Sequence, residues 1–334
     1  MSRTVLFHEY GGPEVLALAD IPPGDPGPGE VLVRVDAIGL NRAEALFRSG
    51  HYIEPVRRFP ARLGLEAAGT VVAPGPGVTG LRPGDEVSVL PVFSQNDYGV
   101  YADRALVPAS ALVRRPEGLD AVGGAAVWMP YLTAYGGLVE VGGLRPGDAV
   151  VLTAASSGVG LAALRVAARV GAVPIAVTRS AAKRRALLAA GAAEAVVSAE
   201  EDVADRVLEI TGGRGAPLVF DAVAGPGVGD LARAVAPGGT LLLYGMASGE
   251  ETPYPAFGLG MPALNMRTYT LPETVRDPER ARRAVAFVAA GLRSGDFGPA
   301  VDPNRFELAG IADAHRYMEQ VDARVGKIVV TVDH

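Results

Sequence analysis

A short apolar run, Val150-Val151-Leu152, leads into Ala155-Ser156-Ser157-Gly158-Val159-Gly160 and then into a helix-period segment from Leu161 to Val170. A strand, a small-residue turn and a helix start, in that order, make an anion site. The first N–H groups of a helix have no intrahelical acceptor, and the helix dipole draws negative charge to that end. A pyrophosphate is such an anion, so the pattern points to a nicotinamide dinucleotide. The usual fingerprint is G-x-G-x-x-G. Here it reads Ala155-x-Ser157-x-x-Gly160, and only the last glycine is kept. Small side chains still let the backbone approach phosphate oxygens, and the hydroxyls of Ser156 and Ser157 are expected to hydrogen-bond them. The expected phosphate contacts are therefore Ser156, Ser157, Gly158, Val159 and Gly160.

The next strand separates NAD from NADP. An NAD site usually ends that strand on Asp or Glu, which binds the ribose 2′-hydroxyl. This chain instead reads Val177-Thr178-Arg179-Ser180, followed by Lys183-Arg184-Arg185. Cations at a helix start oppose the helix dipole unless an anion sits beside them. A 2′-phosphate fits, with Arg179 as a planar fork and Lys183 as a point charge. The expected cofactor is NADPH, held also at Thr178.

Composition closes other routes. The 334 residues contain no cysteine, which excludes disulfides, thiolate nucleophiles and cysteine-ligated metal. The four histidines, His8, His51, His315 and His334, show no metal-ligand spacing. Net charge is −6 with both signs scattered, so no basic stripe suits nucleic acid. The first residues lack the basic-then-apolar pattern of a signal peptide. The uncharged stretch Ala121–Val139 approaches the length of a membrane span, but its four glycines and Pro130 fit a buried helix pair better. The expectation is a soluble cytoplasmic protein acting on a small molecule, with no nucleic-acid or membrane partner.

The elements that position these residues fall in two textures. Residues 1–115 are β-rich: Glu30–Asp36 alternates at strand period, Gly69–Ala73 less strictly, and Pro/Gly turns are dense. A compact antiparallel barrel is expected there. From Gly147, strands alternate with helices. Strands are placed at Ala149–Thr153, Val173–Thr178, Ala195–Ser198, Leu218–Val223 and Thr240–Tyr244. Helices are placed near 159–170, 181–190, 201–211 and 227–236. This is a doubly wound parallel sheet of Rossmann type, ending near 264. Residues 265–334 close with the strand Lys327–Val332 and are expected to return to the first domain.

In order and spacing the chain resembles the zinc-independent quinone oxidoreductases of the medium-chain dehydrogenase/reductase superfamily. The resemblance rests on Phe7-His8-Glu9-Tyr10-Gly11-Gly12-Pro13-Glu14, Gly39-Leu40-Asn41-Arg42-Ala43-Glu44, and Gly64-Leu65-Glu66-Ala67-Ala68-Gly69. It continues through Leu132-Thr133-Ala134-Tyr135, Gly238-Gly239 before Gly245, and Gly326-Lys327-Ile328-Val329-Val330. It implies a GroES-like barrel catalytic domain, 1–120 plus 265–334, with the Rossmann domain, 121–264, inserted in it. It further implies NADPH, a cleft active site and a homodimer, whose shared edge is expected at Thr240–Tyr244 and Pro253–Pro262. Leu65 replaces the ligand histidine of metal-dependent relatives, so alcohol oxidation, which needs a Lewis acid, is disfavoured.

The same resemblance implies the remaining site residues. Asn41 and Thr133 fall near the nicotinamide, Asn41 bonding the substrate carbonyl or the cofactor ribose and Thr133 fixing the nicotinamide face. Tyr52 follows Asn41 at the spacing of a proton-donating tyrosine in enoyl reductases, and is either that donor or a wall of the cleft. Glu44 stands where the family often has Asp, and a helix-face charge is the alternative. Ser198 stands where relatives often carry a tyrosine near the 2′-phosphate or adenine, and Tyr244, Gly245 and Lys327 complete the cofactor set. The expected reaction is hydride transfer from NADPH to quinones or conjugated carbonyls. The rivals are an enoyl-thioester reductase, with Arg57-Arg58 for a carrier phosphate, and a non-catalytic NADPH-binding protein.

Overall fold

The structure, a computed structural model, describes residues 1–256, 261, 263–320 and 324–334. It divides into two compact units, Met1–Met129 with Gly298–His334, and Pro130–Phe297.

The first unit is built on one long strand. β1 (Ser2–Leu6) and β2 (Ala17–Ile21) pair antiparallel by themselves. β3 (Glu30–Gly39) is the centre of a seven-stranded sheet that also holds β4 (Ala67–Pro74), β5 (Glu86–Val89), β6 (Arg104–Pro108) and β7 (Leu112–Arg114). Its first half pairs with β6, most of its length with β4, and its last residues, Ala37–Gly39, with the C-terminal strand Val329–Thr331. Alternation in the sequence turns Val31, Val33 and Val35 inward, where they are fully buried with Val87, Val89 and Val107, while Arg34 faces out. Helix α1 (Arg42–Ser49) follows β3 directly, and Gly50 ends it in the left-handed conformation.

The second unit is a six-stranded parallel sheet. Its strands are β8 (Ala149–Leu152), β9 (Val173–Thr178), β10 (Glu194–Val197), β11 (Ala216–Asp221), β12 (Val235–Leu243) and β13 (Asn265–Thr268), in spatial order β10-β9-β8-β11-β12-β13. Both faces are covered, so Val150, Val151, Ile175, Ala176, Val219, Leu241 and Leu242 are all fully buried. The order reverses between β8 and β11, and ligands of such sheets bind beyond the strand ends at that reversal. The turn after β8 sits there and feeds α2 (Gly158–Val170).

Several sequence expectations need correction. The sheet does not end near 264: Asn265–Thr268 adds a sixth parallel strand against Thr240–Leu243. Its residues, Asn-Met-Arg-Thr, carry no long apolar run to betray it. Consequently Thr240–Tyr244 is no edge, because β11 and β13 flank it; the edge is β13. Of the other segment expected at that edge, Phe257–Gly260 and Pro262 lie outside the described residues. The helix placed at 227–236 stops at Arg233, since the Ala216 N–H takes the Ala234 carbonyl at 2.8 Å and Val235 opens β12. The uncharged stretch forms three short helical pieces, and no helix among the described residues is long and apolar enough to cross a membrane.

The units meet along the chain at Met129/Pro130 and Phe297/Gly298, whereas the sequence boundaries stood at 120/121 and 264/265. Helix α3 (Pro278–Ser294) accounts for the second shift. Its Arg283 grips both oxygens of Glu140 at 2.8 Å. Beyond its end, Phe297 stacks on Tyr131 with centroids 4.4 Å apart, and the Arg169 guanidinium lies over Phe287 and Phe297. These contacts hold residues 278–297 on the parallel-sheet unit.

Candidate active site

The turn after β8 uses its serines differently from expectation. Ser157 is the N-cap of α2, and its Oγ accepts from the Gly160 N–H at 3.0 Å. The same hydroxyl hydrogen-bonds the Tyr244 phenol, which burial and then the Asp221 carboxylate push up. Tyr244 is itself held flat on Phe220, with centroids 3.9 Å apart. The Ser157 side chain is thus committed inside the protein rather than to a phosphate. What the turn offers an anion is the first-turn backbone at Gly158 and Val159 together with Ser156. Gly160 is the glycine that packing requires: a Cβ there would lie 2.6 Å from the Ala154 carbonyl oxygen and from Ala155 backbone atoms.

Lys183 comes to this turn. Its Nζ donates to Ser156 Oγ at 3.3 Å from the short helical segment after β9. Thr178, buried at the end of β9, accepts through its carbonyl from the Ser198 N–H at 2.9 Å, and its Oγ1 accepts from the Ser180 N–H at 3.3 Å. Arg179 and Ser198 are exposed at the same strand ends. Gly245 follows Tyr244 just past β12. Thr133 is buried within the helix Trp128–Tyr135.

Sequence reasoning missed Asp221. It is fully buried at the end of β11 and accepts from the Thr153 hydroxyl at 2.5 Å and the Ala224 N–H at 2.7 Å. Its signal was a single carboxylate closing the apolar run Leu218–Phe220.

The first unit concentrates charge around Asn41, which precedes α1. Glu44 is not a helix-face charge: it is fully buried. Its Oε2 accepts from the Asn41 backbone N–H at 2.7 Å, and its Oε1 from Asn41 Nδ2 and from the Leu65 N–H, both at 3.1 Å. Asn41 Nδ2 also donates to the Gly39 carbonyl at 3.1 Å, and Asn41 Oδ1 accepts from the Lys327 ammonium. Lys327, only 4% exposed, lies 2.6 Å from Oε2 of Glu66, and Glu66 accepts from the Met129 N–H at 2.8 Å. Gly39 leaves room for this: a Cβ there would meet the Ala125 carbonyl oxygen at 2.0 Å and Lys327 Cε at 2.8 Å. In the sequence Glu66 stands only as part of the Gly64–Gly69 motif, and nothing local marks its pairing with Lys327.

Burial pushes the Glu44 carboxyl up, to about 7, against the pull of Lys327 and of the hydrogen bonds from Asn41 and Leu65. Burial raises Glu66 too, again opposed by Lys327. Two buried carboxylates thus share one buried ammonium. Both Asn41 amide hydrogens are engaged within the protein, so any further polar partner of this amide has to be a donor to its oxygen.

Tyr52 is half-buried, with its ring edge-on to Phe47 at 6.0 Å. Arg57, considered for a carrier phosphate, instead pairs with Asp97 at 2.6 Å, both side chains being exposed. Among the described residues, no group of three or more His, Asp or Glu is placed to hold a metal ion.

A nucleotide-type parallel sheet in the 3-2-1-4-5-6 order, inserted in an antiparallel β unit, defines a medium-chain dehydrogenase/reductase. Family models agree: residues 27–117 match the alcohol dehydrogenase GroES-like domain, and residues 158–290 match a model described as zinc-binding dehydrogenase. A quinone oxidoreductase of Pseudomonas aeruginosa is 35% identical over 94% of this chain and 95% of its own. Two solved structures align over 99% of this chain and all of theirs. They are a Pseudomonas syringae quinone oxidoreductase (30% identity, TM-score 0.90) and the Escherichia coli quinone oxidoreductase complexed with NADPH (28%, 0.89). The chain belongs to the quinone oxidoreductases of this superfamily.

The Glu44 carboxyl sets a pH dependence. Its pKa is raised from 4.5 to about 7, so the folded protein holds a proton that the unfolded chain has lost. The resulting stability is complete below about pH 4.5 and is lost as pH rises through about 7. A Glu44→Gln variant lacks this titration. Its stability relative to wild type should therefore gain on the order of 3 kcal/mol between pH 4.5 and 8, read by urea denaturation at each pH. Parallel stability–pH curves for the two proteins would contradict this.

Proposed function

We propose that this chain transfers a hydride from NADPH to quinones and other electron-poor conjugated carbonyls, without a metal. The observation that carries the cofactor choice is Lys183 at Ser156, with Arg179 at the adjoining strand end and no carboxylate there to bind a 2′-hydroxyl. The residues fit the cofactor: Gly160 gives the close turn, Gly158 and Val159 the first-turn N–H groups, and Lys183 and Arg179 the positive charge for a 2′-phosphate. Thr178 and Ser198 support that corner, and Tyr244 and Gly245 complete the floor beside the turn. The NADPH complex of the E. coli relative supports the same choice.

Bound NADPH supplies two electrons as hydride. The protein's task is to orient the acceptor and to deal with the charge that develops on its oxygen. Asn41 receives a donor group of the nicotinamide half, and Lys327 contributes by fixing Asn41. Thr133 holds the nicotinamide face. Tyr52 is the proton donor. A quinone that accepts hydride becomes an oxyanion that water can protonate. A 2-enone that accepts hydride at Cβ must also gain a proton at Cα, and a phenol in reach supplies it.

The two chemistries separate in mutants. Replacing Lys183 and Arg179 together with Ala should raise the KM for NADPH about tenfold or more and leave that for NADH unchanged, in steady-state assays with a naphthoquinone. Equal effects on both cofactors would refute the 2′-phosphate assignment. Tyr52→Phe should lower turnover of a 2-enone by about a hundredfold and leave benzoquinone turnover within a factor of about three. A uniform loss on both acceptors would instead make Tyr52 a wall.

The same reading makes the protein a cytoplasmic homodimer. Among the described residues no strand pairs with the outer edge of β13, and that edge supports a dimer, since an unpaired strand edge is a template for a second copy. Light scattering should give twice the mass of the chain; a monomer at micromolar concentration would overturn this.

A further inference from the structure

We propose that Glu44 is a positioning residue: with Lys327 and Glu66 it fixes the Asn41 amide, so that Asn41 presents only an acceptor to the nicotinamide half of the cofactor. The inference rests on the NADPH reading above and adds Glu44 and Glu66 to it.

The Asn41 amide is saturated by partners within the protein. An amide NH₂ has two hydrogens. Those of Asn41 go to the Gly39 carbonyl and Glu44 Oε1, each at 3.1 Å. The amide oxygen faces the Lys327 ammonium. Turning the amide over would set NH₂ against the ammonium and the oxygen against a carbonyl and a carboxylate. Every contact would become repulsive, in a place where low dielectric magnifies the cost. Lys327 is held in turn by Glu66 at 2.6 Å, so the ammonium cannot follow a displaced Asn41. Glu44 receives three N–H donors, from the Asn41 backbone, the Asn41 side chain and Leu65. A glutamine has one oxygen and one NH₂ for those three donors. It must leave at least one unmet, and its own NH₂ would face them.

A ligand that meets Asn41 therefore has to bring a hydroxyl or an amide N–H. The nicotinamide nucleoside carries both, and a quinone carries neither. This separates the two roles first open to Asn41: cofactor contact remains, and donation to the substrate carbonyl does not.

The test compares two ligands by fluorescence or calorimetry above about pH 8, where Glu44 is ionised. NADPH contains the nicotinamide nucleoside; 2′,5′-ADP carries the same adenosine 2′-phosphate without it. Glu44→Gln should weaken NADPH about tenfold or more and leave 2′,5′-ADP within about twofold of wild type. Glu44→Asp, which keeps a carboxylate, should restore NADPH to within about threefold. Asn41→Ala should show the same selective loss, and adding Glu44→Gln to it should cost NADPH nothing more. If Glu44→Gln lowers both affinities alike, or neither, the carboxylate is merely structural and the inference falls. If Glu44→Gln does not fold, Asn41→Ala decides: a loss shared by both ligands, or no loss, overturns it. If wild type binds neither ligand, it is the NADPH reading that fails.

Discussion

One buried ammonium organises the first unit. Lys327 lies between Glu66 and Asn41, and the pairing of β3 with β4 and with the C-terminal strand brings these groups to one end of the sheet. Gly39 pairs with Val329 and Ile38 with Ala67, so the segment just after β3, the residue preceding β4 and the segment leading into the C-terminal strand converge. A side chain at position 39 would stand where the Lys327 stem and the Ala125 carbonyl now meet. Removing one partner of a buried ion pair typically costs about 3–5 kcal/mol, because the other charge is left without compensation. The cluster is therefore expensive to disturb. Burial, which withholds water from the charged form, raises Glu44 and Glu66, and Lys327 pulls both down. The product of the cluster is an oriented Asn41.

The second unit solves a different problem. Its turn must give up backbone N–H groups to an anion while keeping the helix start intact. Ser157 takes over one N–H of the first turn, that of Gly160, and is steadied by Tyr244, whose ring lies on Phe220. A serine in place of a glycine is thus a cap. The glycine that survives, Gly160, is the one whose Cβ would strike backbone. Lys183 and Ser156 then supply polar contact at the side of the turn.

Much of the parallel sheet was legible because its strands are buried on both faces and read as apolar runs between helix-period segments. Asn265–Thr268 was not legible: it is a polar edge strand whose place is set by pairing with Thr240–Leu243. The site was legible unevenly. Arg179 and Lys183 stood out because cations are out of place at a helix start. Ser157 caps the helix where the sequence suggests a phosphate contact, since sequence does not say whether a hydroxyl turns toward the helix or away. Glu44 read as a possible surface charge because its acceptor role depends on Leu65, 21 residues away, and on Lys327, 283 residues away. Long-range charge pairing of this kind leaves no periodic trace.

The most direct measurement is a neutron structure of the NADPH complex, which places deuterium on the Asn41 amide and on Glu44. The expected result has both amide deuteriums directed at Gly39 and Glu44, with Asn41 Oδ1 accepting from the nicotinamide nucleoside and from Lys327. An amide deuterium pointing at the ligand, or a Lys327 parted from Glu66, would contradict the account.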